Sequence, residues 1–167
     1  VVDTCTGNAK QRTAPLFNQF NTPFLQRFEA TGWRREDVQA LLCTHLHVDH
    51  VGWNTMWVDG RWVPTFPNAR YLIGRAEFAH WTQEPGRDTE ALLADSVQPI
   101  LDAGLVQWVE TDARLSSEVR LLPTPGHTPG HVSVLIESRG QTAAITGDLM
   151  HHACQVARPQ WSSGFDC

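Results

Sequence analysis

At 167 residues, with 41% apolar and 19% charged side chains, the chain is long enough for one domain with its own hydrophobic core. Its formal charge is −5 and its basic residues are scattered, which excludes the basic stripe of a nucleic-acid binder. No window approaches the roughly 18 consecutive apolar residues of a membrane span, so neither nucleic acid nor membrane is an expected partner.

Val1-Val2-Asp3-Thr4 reads as a strand already under way with no initiator Met, and the chain stops at Asp166-Cys167 without a helix stop. The expectation is a single domain over residues 1–167, truncated at both ends. That leaves any leader open, and with it the compartment, the cytoplasm being preferred. Oligomeric state is equally open. Cys5, Cys43, Cys154 and Cys167 lie far apart without C-x-x-C spacing and are read as free thiols. After a polar loop, Thr22 reads as a helix N-cap, with Pro23 at the first helical position. Phe24, Leu25 and Phe28 form that helix's apolar face, and Gly32 ends it. Residues 38–43 are a short apolar run that suits a buried strand and leads straight into Thr44-His45.

Residues 57–63 predict a hairpin with Asp59-Gly60 as a type I′ turn. A strand follows at 71–73. Residues 88–101 predict a helix, with Leu93, Val97, Ile100 and Leu101 on one face. Further strands are expected at 106–109, 119–122, 131–136 and 142–146. Helices intervene early and strands dominate late, which suggests sheets covered by helices on their outer faces.

The segment Thr44-His45-Leu46-His47-Val48-Asp49-His50 carries the chemistry. Chance would place H-x-H-x-D-H in about one such chain per thousand. Residues two apart on an extended segment share a face, so His45 and His47 can grip one ion together. A turn after Val48 then points Asp49 and His50 toward a second ion. Two more candidate ligands stand at strand ends: His127 in the turn Thr124-Pro125-Gly126-His127-Thr128-Pro129-Gly130-His131, and Asp148 after Gly147. Imidazole nitrogen and carboxylate oxygen suit zinc, or iron and manganese. Trp53, Trp57, Trp62 and Phe66 follow the motif closely and either wall a substrate pocket or pack the hairpin onto the sheet.

These residues together resemble the metallo-β-lactamase-fold hydrolases, over nearly the whole chain from Asp3 to Asp148 and somewhat beyond. The resemblance implies an α/β fold, an αββα sandwich truncated at both ends. It implies two zinc ions per complete domain. His45, His47 and His127 would hold one ion, Asp49 and His50 the other, and Asp148 would bridge them. Asp3 would orient loops and ligands, and His131 would be structural. The family's final histidine ligand should follow a further strand and helix, and His151 and His152 come too soon for it. The lactonase branch places a tyrosine three residues after the bridging Asp; this chain has His151 there, either a proton donor or a polar residue at a helix start. With Asp49, Asp148 and His151 as candidate catalytic residues, the implied reaction is attack of a metal-bound hydroxide on a small ester or lactone. An iron-dependent oxidoreductase resembling the persulfide dioxygenases, and organophosphate or β-lactam hydrolysis, are the alternatives.

Overall fold

Alternation within short apolar runs decides the layering. In β1 (Ala40–Leu42) and β4 (Arg70–Gly74), Leu41, Tyr71 and Ile73 turn to one side while Leu42 and Leu72 turn to the other, as the strand period of two requires. Both sides are buried, the usual condition of a parallel sheet. These strands pair in parallel with β5 (Val106–Val109), in the order β1-β4-β5. The structure is a computed structural model that describes residues 1–166, so Cys167 lies outside the described residues. Among the described residues, Cys5, Cys43 and Cys154 form no disulfide.

Helices cover one face of this sheet: α1 (Phe24–Glu29), α2 (Arg75–Gln83), and α3 (Thr89–Leu92) with α4 (Gln98–Asp102). Trp81, Leu92, Val97 and Ile100 pack there against Leu41, Phe66, Tyr71 and Ile73. The other face packs on an antiparallel sheet of β6 (Val119–Pro123), β7 (Val132–Ser138) and β8 (Gln141–Ile145). Leu121, Val132 and Val134 meet Leu42, Leu72 and Val109 in that second core. The result is the mixed α/β layering expected from the sequence. The hairpin of β2 (Thr55–Val58) and β3 (Arg61–Pro64) also forms as expected, with positive φ at both Asp59 (49°) and Gly60 (82°).

Three local expectations change. Residues 1–4 make one bridge, Val2 to Leu42, because φ turns positive at Asp3 and Cys5 (51° each) and breaks the extension. Helix α1 starts one residue later, with Pro23 at its N-cap, while the Thr22 hydroxyl binds Asn8 instead. The helix predicted over 88–101 is interrupted by a π turn, Leu93–Val97. Pro99 has no N–H to give the Asp95 carbonyl. That oxygen accepts from the Lys10 ammonium (2.7 Å) and the Thr55 hydroxyl instead.

Candidate metal centre

Every arm of the site leaves the end of a strand, and the arms meet where the two sheets touch. β1 delivers Thr44 and His45, and the Val132 N–H donates to the Thr44 carbonyl (3.0 Å), joining the sheets at that point. The His50 N–H donates to the His47 carbonyl (3.1 Å), closing the turn that separates the two pairs of motif residues. Thr4 fixes this turn from outside, since its N–H (2.6 Å) and hydroxyl (3.2 Å) both donate to the His50 carbonyl. His127 lies between β6 and β7, and Asp148 follows β8.

The structure brings His45, His47 and His127 into one group with potential ligand atoms within 4.8 Å of one another. His45, His50 and Asp148 form a second group, and His127, Asp148 and His151 a third. Asp148 stands central to these contacts. Its Oδ1 is 3.2 Å from His50 Nε2, and its Oδ2 is 3.5 Å from His127 Nε2 and 3.3 Å from His151 Nε2. Asp49 stays outside the three groups, half-exposed, with Oδ2 3.8 Å from His50 Nε2.

Hydrogen bonds assign the imidazole tautomers. The Thr44 hydroxyl donates to Asp3 Oδ2 (2.8 Å), so its oxygen accepts from His45 Nδ1–H (3.0 Å). His45 Nε2 is left as a bare lone pair, fully buried and with no partner among the described residues. Such an atom is costly to bury unless a cation or donor takes it. Asp3 Oδ2 also accepts from His50 Nδ1–H (3.0 Å), and Asp166 Oδ1 accepts from His127 Nδ1–H (2.9 Å). In each case the other nitrogen turns inward, the arrangement by which carboxylates orient metal-binding histidines. His131 has no nitrogen to spare: Nε2 accepts from the Asp148 N–H (3.0 Å) and Nδ1 binds Thr124. The donor set and the orphaned His45 Nε2 therefore fit zinc.

Electrostatics agree with that fit at His45, His47 and Asp148. Burial first, then neighbouring His50, holds His45 uncharged. His47 falls to about 4 through burial and the nearby His127. Burial opposes charge on His50 too, but its hydrogen bonds with Asp148 and Asp3 outweigh this and raise it to about 10. Asp148 falls to about 2, chiefly through its bond with His50. Neutral imidazoles beside an ionised carboxylate are the protonation states that ligation requires, and a cation would displace the His50 proton.

Gly147 permits the approach of Asp148. Its φ is +54°, and a Cβ there would lie 2.7 Å from His131 Nε2 and 3.0 Å from Thr44 Oγ1. Gly147→Ala is expected to cost about 1–2 kcal/mol for the left-handed backbone alone, and more for the clash. Urea unfolding checks this; an unchanged midpoint would show that the turn relaxes freely.

The sequence missed two carboxylates, Asp166 and Glu77, along with all of α2. Nothing local marks Asp166, whose partner His127 is 39 positions away. Of the two readings of Trp53, Trp57, Trp62 and Phe66, packing is the one the structure shows. Trp53 and Phe66 are buried, and Trp57 packs on Trp62 across the hairpin with ring centroids 4.9 Å apart. A cavity of about 590 Å³ opens over His47, Asp49, His127 and Asp148, and its apolar wall is Phe17, Leu46, Val48, Trp81, Leu92 and Phe165. The wall comes from other elements because the residues just after the motif turn inward to the core.

The chain belongs to the metallo-beta-lactamase superfamily, whose family model matches residues 1–163. An N-acyl homoserine lactonase of a Bacillus species is 34% identical over 107 residues, 64% of this chain and 36% of that relative. The crystal structure of AbOPH, a hydrolase in the beta lactamase superfamily, is 26% identical with a TM-score of 0.76, covering 99% of this chain and 57% of that one. The dizinc quorum-quenching lactonase AidC shares the fold at 24% identity and a TM-score of 0.72, over 99% of this chain and 57% of its own. The chain thus spans little more than a third of that curated relative and just over half of these solved structures.

Proposed function

We propose that the intact protein is a metal-dependent hydrolase, with zinc as its metal, that opens a small ester or lactone. The observation that carries this reading is the buried, unpartnered His45 Nε2 at the meeting point of His47, His127, His50 and Asp148. When bound, zinc supplies a water that ionises near pH 7 and a Lewis acid for a carbonyl oxygen. His45, His47 and His127 would hold one ion, Asp49 and His50 would contribute to a second, and Asp148 would serve both. Asp148 Oδ2 would orient the attacking water. His151 Nε2 lies 3.3 Å from that oxygen, and on this reading it would hand a proton to the leaving alkoxide. The apolar cavity wall suits the acyl or aryl part of such a substrate. Likeness to a lactonase relative adds support for lactones.

The test is an assay of the full-length parent protein on acyl-homoserine lactones, p-nitrophenyl esters, phosphotriesters and a chromogenic β-lactam, with and without a chelator. Chelator-sensitive turnover of a lactone or ester is expected. Tightly bound mononuclear iron with oxygen uptake and no hydrolysis would overturn the reading in favour of an oxygenase on this fold.

A further inference from the structure

Glu77 is a buried carboxylate that the reaction chemistry does not use. It sits in the first turn of α2, is 1% exposed, and among the described residues makes no hydrogen bond to a candidate ligand's side chain. Its two oxygens nevertheless receive four hydrogen bonds. Oε1 accepts from the Leu46 N–H (2.9 Å) and from Trp81 Nε1–H (2.7 Å). Oε2 accepts from the Thr128 hydroxyl (2.7 Å) and the Gly130 N–H (3.1 Å).

The placement of those donors is informative. Leu46 lies between His45 and His47, and Thr128 follows His127 directly. Trp81 in turn packs its ring against His47, with centroids 5.3 Å apart. One carboxylate thereby ties together the two chain segments that supply the three histidines of the first group. The contact is built into the backbone: a Cβ on Gly130 would lie 2.3 Å from the Glu77 nitrogen, so only glycine admits α2 this closely. Because α2 follows β4 directly, Glu77 anchors both segments to the parallel sheet.

We propose that Glu77 is a positioning residue that sets the separation of the His45–His47 segment from the His127 turn, and with it the metal affinity of that group. The proposal rests on the metal-centre reading above. Glutamine is the sharpest replacement, because it keeps the shape and turns one acceptor into a donor. Leu46 N–H and Trp81 Nε1–H can only donate, so the new NH2 group would face Thr128, whose hydroxyl can rotate to accept. The Gly130 N–H is then left unpaired.

In Glu77→Gln, zinc affinity by chelator competition is expected to fall about 10- to 100-fold, as for other groups that orient metal ligands. The d–d absorption of the Co(II)-loaded protein should shift with it. Ile100→Ala, a core change in α4, controls for lost folding stability and should keep affinity within about threefold and the spectrum unchanged. Thr128→Val removes one donor of the four and should lose affinity to a smaller degree with a spectral change of the same kind. Affinity and spectrum unchanged in Glu77→Gln, or an equal loss in Ile100→Ala, would overturn the proposal. Should Glu77→Gln fail to fold by circular dichroism, Thr128→Val decides by the same two readouts. Failure of the unaltered chain to take up zinc would sink the metal-centre reading itself, and this proposal with it.

Discussion

Replacing His45 by alanine is expected to lower zinc affinity by at least about 100-fold and to end metal-dependent turnover in the parent protein. Zinc held by four protein ligands is bound by about 10–16 kcal/mol, so each ligand carries roughly 3 kcal/mol, or a factor of about 10². His45 should be the most damaging single loss because it alone belongs to both the His47–His127 group and the His50–Asp148 group. His47→Ala removes one member of the first group only. The metal-free fold should tolerate His45→Ala comparatively well, since its Nε2 holds no partner that the change would strand. Zinc content after dialysis, paired with circular dichroism of the metal-free chain, separates lost ligation from lost folding. A folded His45→Ala variant that retains zinc at full affinity would show that the ligand assignment is wrong.

Asp95→Asn is expected to cost about 3–5 kcal/mol of folding stability, the usual result of removing one partner of a buried ion pair. Asp95 grips Arg12 through two bonds, 2.7 and 2.9 Å, and lies 3.4 Å from the Lys10 ammonium. Both cationic side chains are fully buried, with Lys10 also 3.6 Å from the centre of the Trp62 ring. Burial already draws Lys10 down to about 7 against the pull of Asp95. Without that carboxylate the Arg12 charge has no counterion among the described residues, and Arg12 cannot discharge as Lys10 can. Such a loss is a large share of the roughly 5–15 kcal/mol that holds a domain folded. Urea unfolding of the metal-free protein measures it, and a change under about 1 kcal/mol would mean that water reaches the cluster.

What could be read from the residues was set by how locally each signal is encoded. β5 matches its expected bounds, and Asp59-Gly60 fixed the hairpin, because alternation and turn chemistry act within a few positions. The H-x-H-x-D-H segment was conspicuous for the same reason. Glu77 was not, since three of its four donors lie 31, 51 and 53 positions away and only the fold assembles them. The π turn needed two facts at once, a proline that strands the Asp95 carbonyl and a lysine 85 positions away that takes it. Asp3 stands between these cases. Family resemblance suggested its orienting role, and the positive φ that places its carboxylate between Thr44 and His50 became visible only in three dimensions.

The central claim, that His45, His47 and His127 enclose a metal ion, is tested most directly by crystallising the zinc-loaded protein and computing an anomalous difference map at the zinc edge. A strong peak is expected about 2.0–2.1 Å from His45 Nε2, His127 Nε2 and the His47 Nδ1 that lies 2.8 Å from it. An ordered site with no peak among these three nitrogens, in protein shown to be zinc-loaded, would contradict it.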